Sequence, residues 1–209
     1  MAMEIRAFDF DIEAQENEEH GHFLTGRAIV FDKPAEIYSP RVGKFVEYIE
    51  RDALTGTDLR DVRFLINHRT DMIPLARSRR NNENSTMQLM VDDEGLNIRV
   101  DLDVENNADA RSLYSAVSRG DISGMSFMMV VDKDKWDDAR ADIPVRRVQS
   151  ISKVSEVSAV TFPAYAQTSI STRGLSGALD SAADSLESAR AEAEEIERKR
   201  QIIRILAEV

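Results

Sequence analysis

From residue 1 to about residue 173, apolar positions come in short runs that alternate with polar ones and are broken by turn residues, the period-two signature of β-strands. The runs predict strands at 5–12, 23–31, 45–49 and 62–67, the last leading directly into His68. A hairpin is the clearest element. Met87, Leu89 and Val91 alternate with polar residues, Asp92-Asp93-Glu94-Gly95 supplies turn chemistry, and Leu96, Ile98, Val100 and Leu102 resume the alternation. Asn106 or Asn107 then caps a helix whose apolar stripe is Ala110, Leu113, Tyr114 and Val117, and Gly120 ends it. Two further strand regions, 122–131 and 145–162, flank a charged segment, 132–142, which reads as an exposed loop carrying the only tryptophan, Trp136.

At about Ser171 the pattern changes. A Ser/Gly/Ala-rich stretch leads into a long helix over 179–208, with Leu179, Ala182, Leu186, Ala189, Ala193, Ile196 and Ile203 at 3-4 spacing. Small residues and Arg200 make this a thin seam that calls for a partner surface. The pairs Glu194 with Arg198 and Glu195 with Lys199 equally suit a solvated face. The expected fold is therefore mainly β with flanking helices (α+β). Residues 1–173 would form the folded domain and 174–209 a linker and C-terminal helix.

Composition narrows the function classes. The 209 residues, 42% of them hydrophobic, suffice for a core. A formal charge of -11, from 38 acidic and 27 basic residues, opposes binding to phosphate backbones, so no nucleic-acid partner is expected. With no cysteine there is neither a disulfide nor a thiol nucleophile, and a cytoplasmic setting is comfortable. No signal-peptide pattern or membrane-length apolar run is present, so no membrane association is expected.

Imidazole chemistry has three candidates, His20, His22 and His68. His68 follows the strand pattern Val62-Arg63-Phe64-Leu65-Ile66 and precedes a polar turn, which places it at a strand end. In Ile122-Ser123-Gly124-Met125-Ser126-Phe127, small residues interrupt an apolar strand, as a bulge or a displayed nucleophile would require. Glu156, flanked by Ser155 and Ser158, is an acid inside an apolar strand pattern, and it either faces inward with a partner or outward to water. Each has an ordinary structural explanation when taken alone. Only the fold could join Ser126 to a histidine 58 residues upstream. The histidines show no spacing suited to zinc or magnesium, so no metal or other cofactor is expected.

Taken in order, Gly26-Arg27-Ala28-Ile29-Val30-Phe31, Phe45-Val46-Glu47-Tyr48-Ile49, Asn67-His68-Arg69 with Pro74-Leu75-Ala76-Arg77, Gly124-Met125-Ser126-Phe127, and Glu156-Val157-Ser158 leading to Phe162-Pro163-Ala164 resemble the prohead maturation proteases of tailed phages. The resemblance implies a compact β-barrel related to the herpesvirus capsid assembly proteases. It also implies a serine endopeptidase that cleaves major capsid and scaffold proteins, and itself, in the host cytoplasm inside the assembling procapsid. By position Ser126 matches the family serine and His68 the family histidine. Glu156 is the acid chosen for the third place, with His20 or His22 as alternatives and Ser123 as a competing nucleophile. A homo-oligomer, a dimer as in the herpesvirus relatives, is expected, and in such a protein residues 174–209 would serve dimerisation, scaffold docking or removal by self-cleavage. The contrasting reading is a non-catalytic capsid assembly or scaffold protein that binds through its C-terminal helix, which requires Ser126 and His68 to lie apart. A general cytosolic processing peptidase would also fit these residues.

Overall fold

The structure is a computed structural model that describes residues 3–8, 12–162 and 180–207. Its strands, in chain order, are β1 (Glu4–Phe8), β2 (Ile12–Asn17), β3 (Gly21–Val30), β4 (Ala35–Ser39), β5 (Gly43–Ile49), β6 (Asp61–Ile66), β7 (Ala76–Arg79), β8 (Met87–Val91), β9 (Gly95–Asp101), β10 (Gly124–Asp137) and β11 (Val145–Val160). Helix α1 (Ala108–Ser118) follows β9, and α2 (Asp180–Ala207) closes the described chain.

Two sheets form. The smaller runs β2-β3-β9-β8, all antiparallel. The larger has seven strands built around β11, which pairs along one edge with β10. Because β10 takes that whole edge, the other is divided between two parallel neighbours, β5 at its beginning and β6 at its end. This division carries the end of β6, and with it His68, alongside the C-terminal half of β11. Register shifts in β10 between residues 128 and 134 bend the long ribbon.

The inward faces of both sheets share one core. Leu24, Ile29, Leu96, Ile98 and Val100 come from the smaller sheet, and Phe64, Met125, Phe127, Met129, Val157 and Ala159 from the larger. At about 1.5–3 kcal/mol for each large apolar side chain buried, this face-to-face packing dominates the stability. Helix α1 adds Ala110, Leu113 and Val117. Asn107 caps it, its side-chain oxygen accepting from the amides of Asp109 and Ala110. Gly95 is required where β9 meets β3, since a Cβ there would lie 1.8 Å from the carbonyl oxygen of Ile29.

Three expectations change. The sheets do not close into a barrel, and among the described residues no ladder joins one to the other. The segment read as one strand, 5–12, instead serves both sheets, with β1 on β10 and β2 on β3. The segment 132–142 is largely not a loop, because β10 runs on to Asp137 against Val145–Ser150 of β11. Trp136 is buried there beside Phe45, Ala182 and Leu186 in a second apolar cluster. The charges that suggested a loop are paired across the ladder, as with Arg147 and Asp137 at 2.6 Å.

Helix α2 docks by its first turns. Ala182, Ala183 and Leu186 are buried, and Ser185 accepts from the Trp136 indole at 3.0 Å while donating to Asp134 at 2.6 Å. Farther along, Ile196, Ile202, Ile203, Ile205 and Leu206 are exposed, and Glu195 pairs with Lys199. Leu179, the expected boundary near residue 173 and the Ser/Gly/Ala-rich stretch up to 179 lie outside the described residues.

Candidate active site

The site is assembled where β6 ends. Asn67 and His68 have φ of 51° and 56°, and the Arg69 amide donates to the Ile66 carbonyl at 3.1 Å, so the chain reverses in a tight turn with positive φ at both central positions. Such a backbone is costly for histidine and must be held in place by its surroundings. Asn67 provides three tethers to β11 and the residue after it. Its amide donates to Ala159 O (2.9 Å), its side-chain oxygen accepts from the Thr161 amide (2.9 Å), and its side-chain nitrogen donates to the Thr161 hydroxyl (3.0 Å). The His68 amide donates to Ser158 Oγ at 3.1 Å.

Strand alternation sets the other participants. Met125, Phe127 and Met129 point into the core, which turns Ser126 to the opposite face of the sheet. Ser126 is paired with Ser158 across the β10–β11 ladder and Met128 with Glu156, so Ser126, Ser158 and Glu156 share that outer face. The His68 ring completes the set, with Nε2 2.6 Å from Ser126 Oγ and Nδ1 2.5 Å from Glu156 Oε1. The second carboxylate oxygen of Glu156 accepts from Ser158 Oγ at 2.6 Å.

Burial gives these contacts their weight. Glu156 is 2% exposed, and an unpaired carboxylate there would be expensive, yet both its oxygens are bonded. A carboxylate accepts only, so the proton between it and the ring resides on Nδ1 and leaves Nε2 as an acceptor facing Ser126. Such an arrangement can take the hydroxyl proton from serine and stabilise the resulting imidazolium. Contrary to the expected display of a nucleophile, Ser126 is 0% exposed, and its hydroxyl lies 2.8 Å from a second acceptor, the Arg6 carbonyl of β1.

The remaining candidates lie elsewhere or bond differently. His20 and His22 belong to the β2–β3 hairpin of the smaller sheet, where His20 meets Arg99 (3.1 Å) and His22 packs edge-on against Tyr114. Ser123 is exposed ahead of β10, and Ser155 contacts the Met128 carbonyl. Among the described residues, no cluster of His, Asp or Glu could hold a metal ion, and no helix is long and apolar enough to cross a membrane.

Sequence reasoning missed one feature beside the site, a buried ionic cluster. Arg6 pairs with Glu4 and Glu47, and Arg146 with Glu4, Glu47 and Asp134. Its signal was available in the period of β5, since Phe45, Glu47 and Ile49 share a face and the outer two are core residues.

A scan of protein-family models matches residues 8–180 to the caudovirus prohead serine protease family. No curated protein and no solved structure matches, so the expected kinship with herpesvirus proteases has no match behind it. The family model spans most of the chain, including Ser126, His68 and Glu156 and the strands β6, β10 and β11 that position them, and the chain belongs to the caudovirus prohead serine protease family.

Proposed function

We propose that this chain is the endopeptidase of procapsid maturation, with Ser126 as nucleophile, His68 as general base and Glu156 as the carboxylate that orients the imidazole. One observation carries the reading: an unbroken chain of contacts runs from Ser126 Oγ through both ring nitrogens of His68 to Glu156, at 2.6 and 2.5 Å. The binding-only alternative required the serine and histidine to lie apart, and this distance disfavours it.

In the mechanism that follows, His68 Nε2 accepts the Ser126 proton as Oγ attacks a peptide carbonyl carbon, and the C–O bond forms as the carbonyl π pair moves onto oxygen. The imidazolium, held by Glu156, returns that proton to the departing amine as the C–N bond breaks. Water then repeats the sequence on the acyl-enzyme. Family membership supports the major capsid protein as substrate, and we extend this to the scaffold protein and to the chain itself.

Co-expression with the capsid protein of the same phage tests the proposal. The wild-type chain is expected to convert the capsid protein to a shorter product, and Ser126→Ala to leave it at full length. Equal processing by both, read by mass spectrometry of the capsid protein, refutes Ser126 as nucleophile.

A further inference from the structure

We propose that Ser158 is a fourth, positioning member of the site, which locks the orienting acid to the backbone of the general base. The inference rests on the assignment of Ser126, His68 and Glu156 above and adds a residue to it. Ser158 is fully buried, directly opposite Ser126 in the ladder, and both capacities of its hydroxyl are used. Its proton goes to Glu156 Oε2 (2.6 Å), and its oxygen accepts the His68 amide (3.1 Å). The β6–β11 register ends at Ile66 opposite Ala159, so the His68 amide lies past the ladder and finds its acceptor in this side chain. One hydroxyl thereby ties the carboxylate and the imidazole to a common point. The Glu156–His68 alignment then does not depend on two independent rotamers. Ser155, on the same strand, makes only a 3.5 Å contact to a carbonyl and a 3.6 Å contact to Met3 sulfur.

The test uses a fluorogenic peptide spanning the site at which the wild-type enzyme cuts its capsid protein. Ser158→Ala is expected to lower kcat by about 10- to 100-fold, the scale of a small misplacement of catalytic groups, with KM little changed. Ser158→Thr, which keeps the hydroxyl, should recover most of the rate. In a Glu156→Gln background the Ser158→Ala change should cost almost nothing further, because the partner it positions is already lost. Fully multiplicative losses, or a loss confined to KM, overturn the proposal. If Ser158→Ala fails to fold, Ser158→Cys, with its weaker donor, is measured in the same cycle. Should Ser126→Ala be inactive while Ser158→Ala equals wild type, this inference alone falls. An active Ser126→Ala removes the underlying assignment as well.

The burial of Ser126 carries a second inference independently: the geometry points to β1 as an autoinhibitory strand that must leave β10 before substrate reaches the serine. A fully buried hydroxyl cannot meet a peptide, and Ser126 has one proton for two acceptors, His68 Nε2 and Arg6 O. When the proton lies on the Arg6 carbonyl, the oxygen is not activated. Strand β1 is five residues long and, among the described residues, pairs only with β10 and forms an edge of the sheet, so its departure exposes a strand edge able to receive an extended peptide. Its anchors are Arg6, paired with Glu47, and Glu4, paired with Arg146, so departure must open that ionic cluster. Glu4 also accepts from Ser181 of α2, so the helix helps to hold the strand closed.

Because the chain has no cysteine, a single disulfide can test this cleanly. Ile5 and Met128 are paired across β1 and β10, at the roughly 4.5–5.5 Å Cα spacing of antiparallel partners that a disulfide accepts. The Ile5→Cys, Met128→Cys protein is expected to lose peptidase activity on oxidation and regain it with dithiothreitol. Equal turnover in both states overturns the proposal, while an inactive Ser126→Ala control keeps the assignment of the serine separate. If the double variant does not fold, amide exchange over residues 4–8 in the wild-type chain replaces it. Labelling of Ser126 by a fluorophosphonate should then speed that exchange, and unchanged exchange in fully labelled protein overturns the inference.

Discussion

Ser126→Ala, His68→Ala and the double variant are expected to lower kcat by the same factor, on the order of 10⁶, the scale measured for serine and histidine removal in subtilisin. Equality rather than size is the informative result. The serine oxygen gains its reactivity only by giving a proton to Nε2, 2.6 Å away, so removing either partner abolishes one shared event. If the two acted separately, the losses would multiply in the double variant, and single-turnover kinetics on the capsid-derived peptide would expose this at once. Glu156→Gln is expected to cost less, about 10⁴-fold, because the residue acts on the ring and not on the substrate. The glutamine can turn its NH₂ toward Nδ1 and favour the tautomer that carries hydrogen on Nε2, the nitrogen that must accept. A Glu156→Gln enzyme with near wild-type kcat would leave His68 as a base that needs no orienting partner.

Much of this site was legible from the residues, for unequal reasons. The hairpin of β8 and β9, the α1 stripe and the approach of β6 to His68 follow from local periodicity, and the structure places all three where that period required. The meeting of Ser126, His68 and Glu156 depends on β6 lying parallel to the far half of β11, a long-range pairing that no local pattern encodes. The ordered resemblance to prohead proteases pointed to Ser126 and His68 instead, while Glu156 was chosen for the third place against His20 and His22. Segment 132–142 was misread because its charges looked solvated. Arg146 and Asp134 are in fact ionic partners at 2.6 Å, and Trp136 between them is buried beneath α2. Ser158 was visible only as a neighbour of Glu156 in the strand pattern, since its bond to the His68 amide depends on a turn with two positive φ values that the strand period does not encode.

Arg6→Met or Arg146→Met is expected to destabilise the protein by about 3–5 kcal/mol, the cost of leaving buried partners of an ion pair uncompensated. Glu4, Arg6, Glu47 and Arg146 are each no more than 1% exposed, and their bonds interlock. Arg6 reaches Glu47 at 2.7 Å and Glu4 at 2.5 Å, while Arg146 reaches Glu4 at 2.6 and 2.9 Å and Glu47 at 3.0 Å. Loss of either cation leaves two carboxylates sharing the other. Acid should act on the same cluster. Burial alone would raise the Glu4 pKa, but the Arg6 charge and the Arg146 contacts outweigh it and hold the carboxyl at about 2, against 4.5 for the free group. A group whose folded pKa is depressed contributes stability above its unfolded value and loses it as pH falls toward the folded one. Glu4 should therefore contribute about 3 kcal/mol near neutrality, declining from pH 4.5 to about 2. Urea midpoints across that range should fall for the wild type and flatten for Glu4→Gln, which starts lower at pH 7. A Glu4→Gln protein with a wild-type acid limb would remove Glu4 as the source. Because β1 carries both Glu4 and the Arg6 carbonyl that meets Ser126, the same variants should loosen the strand over the serine, so stability is lost and fluorophosphonate labelling of Ser126 gained in whatever fraction remains folded.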